Sequence, residues 1–152
     1  MMRLLSASLN PKANALFSLI LVILAVSMSV TEAFAQAAAS SVAAGKADYL
    51  TNCADCHGQN GKGSGPNMNV IPGIKPADLT TIAARNGGVF PTTQVANTID
   101  GRQSTPSHKR FDMPFWGVNF QEPGKEFTPE SEAKAKARID AIVAYIETLQ
   151  VK

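Results

Sequence analysis

The segment Cys53-Ala54-Asp55-Cys56-His57 constrains this chain more than any other stretch. Its two thiols stand three positions apart, so on a helical turn they point to the same side. Each thiol can then form a thioether with one of the two vinyl groups of a haem, and the adjacent histidine can bind the iron. The segment therefore predicts one covalently bound haem c per chain, with Cys53 and Cys56 as thioether links and His57 as an axial ligand.

Two other chemistries use closely spaced cysteines. A thioredoxin-like redox pair requires a strand before the motif, whereas the residues before Cys53 show helical periodicity. A structural zinc site needs four ligands, and Cys53, Cys56, His57 and His108 supply that number. However, the adjacent Cys56 and His57 point about 100° apart on a helix and do not easily converge on one tetrahedral metal. We therefore favour haem attachment over both alternatives.

The first 35 residues have the features of a secretory signal peptide. Arg3 and Lys12 flank a polar start, residues 15–30 are almost wholly apolar, and Ala33-Phe34-Ala35 fits the small-x-small cleavage pattern. The apolar run has 16 residues, whereas a membrane span needs about 20. We therefore expect residues 1–35 to be cleaved and residues 36–152 to form a single periplasmic domain. An uncleaved signal would instead anchor the protein in the membrane.

The charge of the expected mature chain is nearly balanced. Its 117 residues carry 12 lysines and arginines against 11 aspartates and glutamates, which gives a formal charge of +1. A nucleic-acid-binding domain needs a clear basic excess, so we expect no nucleic-acid partner. We likewise expect peripheral or no membrane contact once the signal is removed.

An N-terminal helix is predicted from about residue 42, after Ser40 or Ser41 as its cap. A glycine inside a helix costs about 0.5–1 kcal/mol relative to alanine, so Gly45 indicates that another backbone passes close by. The stripe that predicts this helix has spacings of 3, 4, 4 and 3: Val42, Gly45, Tyr49, Cys53 and Cys56.

A C-terminal helix is predicted to begin after Thr128, because Thr128-Pro129 combines a capping residue with a proline at the first helical position. We expect this helix to run to about Gln150. Two short helices should precede it, one over Thr81–Asn86 and one capped near Thr92 or Thr93 that runs to Asp100-Gly101. No segment shows the alternation of a strand. The apolar face of the C-terminal helix comprises Ile139, Ile142, Val143, Ile146 and Leu149.

The loop that follows His57, from Gly58 to Pro66, contains four glycines. Such a loop lets the backbone approach a flat ligand closely. A proximal histidine normally donates its other ring N–H to a carbonyl oxygen, which fixes the ring. The carbonyl of Pro66 is our candidate acceptor, and an ordinary turn proline is the alternative.

Met113 is the candidate for the second axial ligand. Removal of the signal leaves only Met68 and Met113, and Met68 stands just 11 residues past His57, which leaves little chain to reach the opposite face of a haem. A methionine thioether is a common sixth ligand that raises the reduction potential. His108 remains an alternative sixth ligand, and it would lower the potential.

The residues beside Met113 suit a haem contact. Pro114 fixes the chain next to the thioether, while Phe115 and Trp116 can cover the ring and exclude water. We therefore expect Trp116 to be a haem-binding residue.

The sequence resembles the bacterial class I c-type cytochromes, monohaem proteins whose iron has histidine and methionine ligands. The resemblance extends from about Val42 to Leu149 and includes the C-x-x-C-H motif and Met113-Pro114. It implies an all-α cytochrome c fold, in which N- and C-terminal helices cross over a covalently bound haem with short helices and loops between them. It also implies that Gly45 lies where those helices touch, with Ile142 and Tyr145 as the contact on the C-terminal helix.

Two axial ligands would leave the iron no open position for a substrate, so we expect electron transfer and no enzymatic activity. The expected function is a periplasmic monohaem cytochrome that carries single electrons between respiratory or dehydrogenase partners. A dedicated cytochrome subunit of a dehydrogenase or oxidase complex is one alternative, and a haem enzyme or gas sensor with a labile distal ligand is another. Lys62, Lys109 and Arg110 are candidates for steering an acidic redox partner, with scattered surface charge as the alternative.

Overall fold

The computed structural model describes residues 35–66, 76–102 and 113–151. The chain divides into two units, Met1–Ala39 and Ser40–Lys152. In the first unit the described residues 35–39 are helical and exposed. The signal peptide expected over residues 1–35 thus lies outside the described residues except for its last position, and it stays a prediction. Several residues singled out above also lie outside the described part: Met68, His108, Lys109 and Arg110.

The described residues are helical, with no strand among them, so the predicted all-α class is confirmed. None of the described helices is long and apolar enough to cross a membrane. The elements are α1 over residues 35–52, α2 over Ala54–His57, a 3-10 turn over Leu79–Thr81, α3 over Ile82–Arg85, α4 over Thr92–Asp100, α5 over Trp116–Asn119 and α6 over Pro129–Thr148.

Helix α1 starts earlier than predicted. Ser40 and Ser41 lie within it, so the prediction that they cap its N-terminus was wrong. The physical reason is the alanine-rich stretch around them, residues 37–44, because alanine has the highest intrinsic helix propensity. Alanine carries no strong amphipathic signal, so the apolar stripe becomes visible only from residue 42 onward.

The chain passes from α1 into α2 with a local break at Cys53. The Cys53 N–H still donates to the Tyr49 carbonyl at 2.8 Å, and the His57 N–H donates to the Cys53 carbonyl at 2.9 Å. Gly58, at φ 77°, then ends the helix in a conformation that favours glycine. The two cysteines and the histidine therefore stand at the C-terminal end of a nearly continuous helix.

Helix α6 begins as predicted. The Thr128 side chain accepts a hydrogen bond from the Ser131 N–H at 3.2 Å, Pro129 is the first helical residue, and Glu130 and Glu132 lie in the first turn, where the helix dipole favours negative charge. The helix ends at Thr148, two residues before the predicted end.

The shorter helices agree with prediction in part. Helix α4 was predicted with a cap at Thr92 or Thr93, but Pro91 occupies the N-cap position and Thr92 is already the first helical residue. The helix ends as predicted before Gly101, which adopts a left-handed conformation at φ 74°. The helix predicted over Thr81–Asn86 is present as α3, with a 3-10 turn before it. Helix α5 was not predicted, since four residues are too few to show a helical period.

Helices α1 and α6 contact each other at Gly45, as the resemblance implied. A Cβ atom at Gly45 would overlap the carbonyl oxygen of Ala141 and would lie 2.9 Å from the Ile142 nitrogen. One turn further along α1, the Tyr49 ring packs on Tyr145 with centroids 5.2 Å apart. The missing side chain of Gly45 therefore allows the two backbones to approach, and the predicted contact of Ile142 and Tyr145 is confirmed.

Helices α4 and α5 pack against α6. On its flank Arg138 donates two hydrogen bonds to the Asp48 carboxylate of α1, at 3.0 and 2.6 Å, and its guanidinium lies 3.9 Å from the centroid of the Phe120 ring. The largest fully buried side chains in the described ranges belong to the α1–α6 contact and the start of α6: Tyr49, Ile142, Val143 and Ser131.

Candidate functional site

The two thiols of the C-x-x-C-H motif are free and half-buried. Cys53 packs against the hydrophobic core. Burial raises the pKa of the Cys53 thiol to about 12, and the negative charge of Asp48 adds to the shift. The side chain of Cys53 is thus neutral at physiological pH, in an apolar setting that suits a thioether to a haem.

The imidazole of His57 is oriented by a backbone carbonyl. Its Nδ1 atom lies 3.1 Å from the carbonyl oxygen of Ala77, a distance at which a protonated Nδ1 donates a hydrogen bond. In that tautomer Nε2 keeps its lone pair for a metal. We expected the carbonyl of Pro66 in this role, and the structure places that of Ala77 there. Pro66 itself is exposed, and its part in haem binding stays a prediction.

The glycine-rich loop explains why Ala77 reaches the histidine. Gly63 adopts φ 73°, and a Cβ atom there would overlap the carbonyl oxygen of Pro76, so the loop packs directly on residues 76–77. The Leu79 N–H donates to the Gly61 carbonyl at 2.7 Å and holds the two segments together. The close approach expected of the glycines is therefore made to another part of the chain.

The same loop folds back over the end of α2. The Gly63 N–H donates to the His57 carbonyl at 2.8 Å, and the Gly65 N–H donates to the Cys56 carbonyl at 3.1 Å. Both carbonyls belong to the last turn of the helix, where they have no partner within the helix itself. The loop thus fixes the backbone from which the cysteines and the histidine of the motif project.

Tyr49 supports the end of α2 from within the core. Its fully buried side chain donates from the hydroxyl to the Gly58 carbonyl at 2.7 Å. Burial, with smaller contributions from Cys53 and Tyr145, raises the pKa of this hydroxyl, so it remains a protonated donor. Tyr49 therefore ties the residue after His57 to the α1–α6 contact.

Replacing Tyr49 by phenylalanine should lower the free energy of unfolding of the holoprotein by about 1 kcal/mol. The Gly58 carbonyl keeps its second donor, the Gly61 N–H at 3.1 Å, so the loss is that of one buried hydrogen bond. Guanidinium denaturation measures it. Thr51→Ala also removes a hydroxyl that bonds a backbone carbonyl, but at an exposed position of α1; its loss should stay below about 0.5 kcal/mol. Equal losses would contradict the role given to burial.

Met113 is half-buried and packs against the same hydrophobic core as Cys53. Trp116 begins α5, and its ring lies 5.0 Å from that of Phe120 at an angle of 32°. Phe115 is exposed at 46 % of its surface. The roles of Met113 as an iron ligand and Trp116 as a haem contact stay predictions.

A polar network holds the backbone around Met113. Arg102 donates hydrogen bonds to the Asp100 carboxylate at 2.7 and 2.8 Å and to the Glu132 carboxylate on α6 at 2.6 Å. These hydrogen bonds hold the pKa of each of the two carboxyl groups below its usual range. The buried Gln121 donates to the Gly117 carbonyl at 3.0 Å and to Glu132 at 2.9 Å. A Cβ atom at Gly117 would come within 2.5 Å of Asp100. Residues 100–102 and 115–117 are thus packed together and tied to α6.

The residues present fit a haem. Besides the two thiols and the imidazole, several apolar side chains pack on the core and leave part of their surface exposed, as is needed where a flat apolar ligand completes a core. They come from the 3-10 turn, α3, α4, α5 and the segments beside them: Leu79, Ile82, Phe90, Ala96, Met113 and Trp116.

Sequence reasoning missed several of the groups that build this site. Ala77 acts through its backbone, and a backbone carbonyl has no side-chain signature. Gln121 is a buried polar residue that bonds Gly117, Phe127 and Glu132 in a connection with no recognised sequence pattern, so the sequence did not identify it. The contact of Arg138 with Asp48, 90 residues away, was also missed, because Arg138 lies mainly outside the apolar face of α6 and was interpreted as a solvated charge.

A model of the protein family described as Cytochrome c matches residues 42–150. Neither the curated proteins nor the solved structures contain a significant match to the chain.

Proposed function

Because the chain belongs to the cytochrome c family, we propose that it is a periplasmic electron carrier of the bacterial class I type, with one haem c. Cys53 and Cys56 form the thioethers, and His57 and Met113 are the axial ligands. The observation that carries the proposal is the contact of His57 Nδ1 with the Ala77 carbonyl, because a carbonyl that accepts the Nδ1 proton orients the imidazole and favours the tautomer whose Nε2 can bind iron.

The haem supplies the one-electron couple of its iron. The protein contributes attachment, orientation and exclusion of water. Cys53 and Cys56 fix the position of the ring, and the Ala77 carbonyl fixes the plane of the His57 imidazole. Met113, on the same core as Cys53, would supply the second ligand to the iron, so that neither oxidation state would need a new ligand.

Methionine as the second ligand would affect both the reduction potential of the iron and the access of substrates to it. A thioether stabilises Fe(II) relative to a second imidazole and raises the reduction potential. A filled axial position excludes substrates from the iron, which argues against a haem enzyme or gas sensor. The Lys62 side chain is exposed and is available to meet an acidic redox partner.

Carbon monoxide tests the closed site. The reduced holoprotein at neutral pH should bind CO slowly or not at all, and a redox titration should show one electron per chain. Rapid and complete CO binding would contradict the proposal and favour a sensor or enzyme. Recovery of the native protein in a stable complex with a catalytic subunit would instead identify a dedicated subunit, since a free carrier should be recovered alone.

A further inference from the structure

The end of α6 is joined to the segment that carries the acceptor of the His57 hydrogen bond. The half-buried Gln150 side chain donates from Nε2 to the Leu79 carbonyl at 2.7 Å and to the Ile146 carbonyl at 2.9 Å. Its Oε1 accepts from the Ala83 N–H at 2.9 Å. These bonds use both N–H donors of the amide and its oxygen, and two of them reach residues about 70 positions earlier in the chain.

The next residue continues the connection. The Val151 N–H donates to the Thr80 carbonyl at 2.9 Å. Thr80 is buried, and both its N–H and its hydroxyl donate to the Asp78 carboxylate, at 2.8 and 2.6 Å, which stiffens the turn. The turn immediately after Ala77 is thus held by its own side chains and by the end of α6.

The opposite side of this turn is bound to the glycine-rich loop. Leu79 uses its N–H for the Gly61 carbonyl and its carbonyl for Gln150, so it is held from both sides. A Cβ atom at Gly61 would lie 3.2 Å from the Leu149 side chain, so the loop and the end of α6 are also in contact. Ala77, two residues before Leu79, has little freedom to move relative to His57.

We propose that Gln150 is a positioning residue for the axial histidine. By holding residues 79–83 it keeps the Ala77 carbonyl against His57 Nδ1, and so sets how strongly the imidazole donates to the iron. The inference rests on the iron ligation by His57 in the proposed function and goes beyond it by naming a residue that tunes the ligand from the other end of the chain.

The direction of the tuning follows from the hydrogen bond. A carbonyl that accepts the Nδ1–H raises the basicity of Nε2. A more basic ligand favours Fe(III), so it lowers the reduction potential. Weakening the contact by loss of Gln150 should therefore favour Fe(II) and expose the Nδ1 proton to exchange with solvent.

The test compares Gln150→Met, which preserves the length of the side chain but removes its hydrogen bonds, with the wild-type holoprotein. NMR of the haem-bound protein measures exchange of the His57 Nδ1 proton, which should be about tenfold faster because the segment that carries its acceptor opens more often without the Gln150 hydrogen bonds. In a redox titration the Fe(III)/Fe(II) ratio at a fixed potential should fall about threefold. This change equals a rise of about 30 mV in the one-electron reduction potential.

Thr148→Ala is the matched control. Thr148 lies on the same last turn of α6 and donates its hydroxyl to the Tyr145 carbonyl at 2.6 Å, so its loss should leave both readouts at the wild-type value. If the methionine variant does not fold, Gln150→Glu replaces it in the exchange experiment. The glutamate keeps an acceptor for the Ala83 N–H, but it turns a carboxylate oxygen toward the carbonyls of Leu79 and Ile146 in place of a donor, so it should accelerate exchange as well.

A wild-type exchange rate in the folded Gln150 variant would overturn the inference, because it would leave Gln150 with a structural role only. An NMR spectrum of the wild-type holoprotein that lacks the ring signals of an iron-bound His57 would overturn the proposed ligation and the inference with it. The two failures are therefore distinguishable.

Discussion

The Met113→Ala holoprotein should bind CO rapidly in its reduced form and should lose the long-wavelength absorption band that marks methionine bound to ferric haem. Its reduction potential should fall by on the order of 0.1 V or more, because removal of the thioether leaves the iron to water or a harder ligand. Optical spectra of the oxidised protein and a redox titration measure both effects.

Met68→Ala is the matched control, since Met68 is the other methionine that follows the predicted signal peptide. It should keep the band, the potential and the slow reaction with CO. His108→Ala should do the same if Met113 is the ligand. Loss of the band in Met68→Ala, with the band intact in Met113→Ala, would assign the axial position to Met68. Absence of the band from the wild-type oxidised protein would contradict methionine ligation and favour His108.

Gly45→Ala should lower the free energy of unfolding of the holoprotein by about 3 kcal/mol, at the upper end of the cost of overpacking a core. The new methyl group would overlap the Ala141 carbonyl oxygen, which belongs to the α6 backbone and cannot rotate away as a side chain would. Helix propensity acts in the opposite direction, because alanine is better than glycine by about 0.5–1 kcal/mol in a helix interior. The sign of the measured change therefore decides between the two effects.

Guanidinium denaturation of the holoprotein provides the measurement, and Lys46→Ala is the matched control. Lys46 is the exposed neighbour of Gly45 on α1, so a change to alanine there gives the new methyl group no backbone to overlap. Its stability should change by less than about 0.5 kcal/mol. A stabilised Gly45→Ala variant would contradict the close contact of α1 and α6.

Features coded by neighbouring residues were predictable from the sequence. The start of α6 at Thr128-Pro129 depends on capping within one turn, and the left-handed end of α4 at Gly101 depends on one residue. Gly45 was also interpretable, since a glycine at a conspicuous position on a helix has few explanations other than a close contact.

Features that depend on distant partners were not predictable in the same way. Many carbonyls follow the glycine-rich loop, and what selects that of Ala77 for His57 is the packing of Gly63 on residue 76. The side chain of Gln150 would suit a solvated helix end equally well by sequence alone, and only its bonds to Leu79 and Ala83 give it a structural role. Local patterns thus predicted the helices, whereas the orientation of the histidine required the tertiary structure.

Covalent haem attachment is the central claim, and intact mass combined with a pyridine haemochrome spectrum of the exported protein tests it most directly. The account predicts the mass of the polypeptide plus one haem, with both vinyl groups saturated in the spectrum and no free thiol left at Cys53 or Cys56. The same mass also reports whether residues 1–35 are absent. A polypeptide mass without haem, with Cys53 and Cys56 as free thiols or a disulfide, would contradict the account.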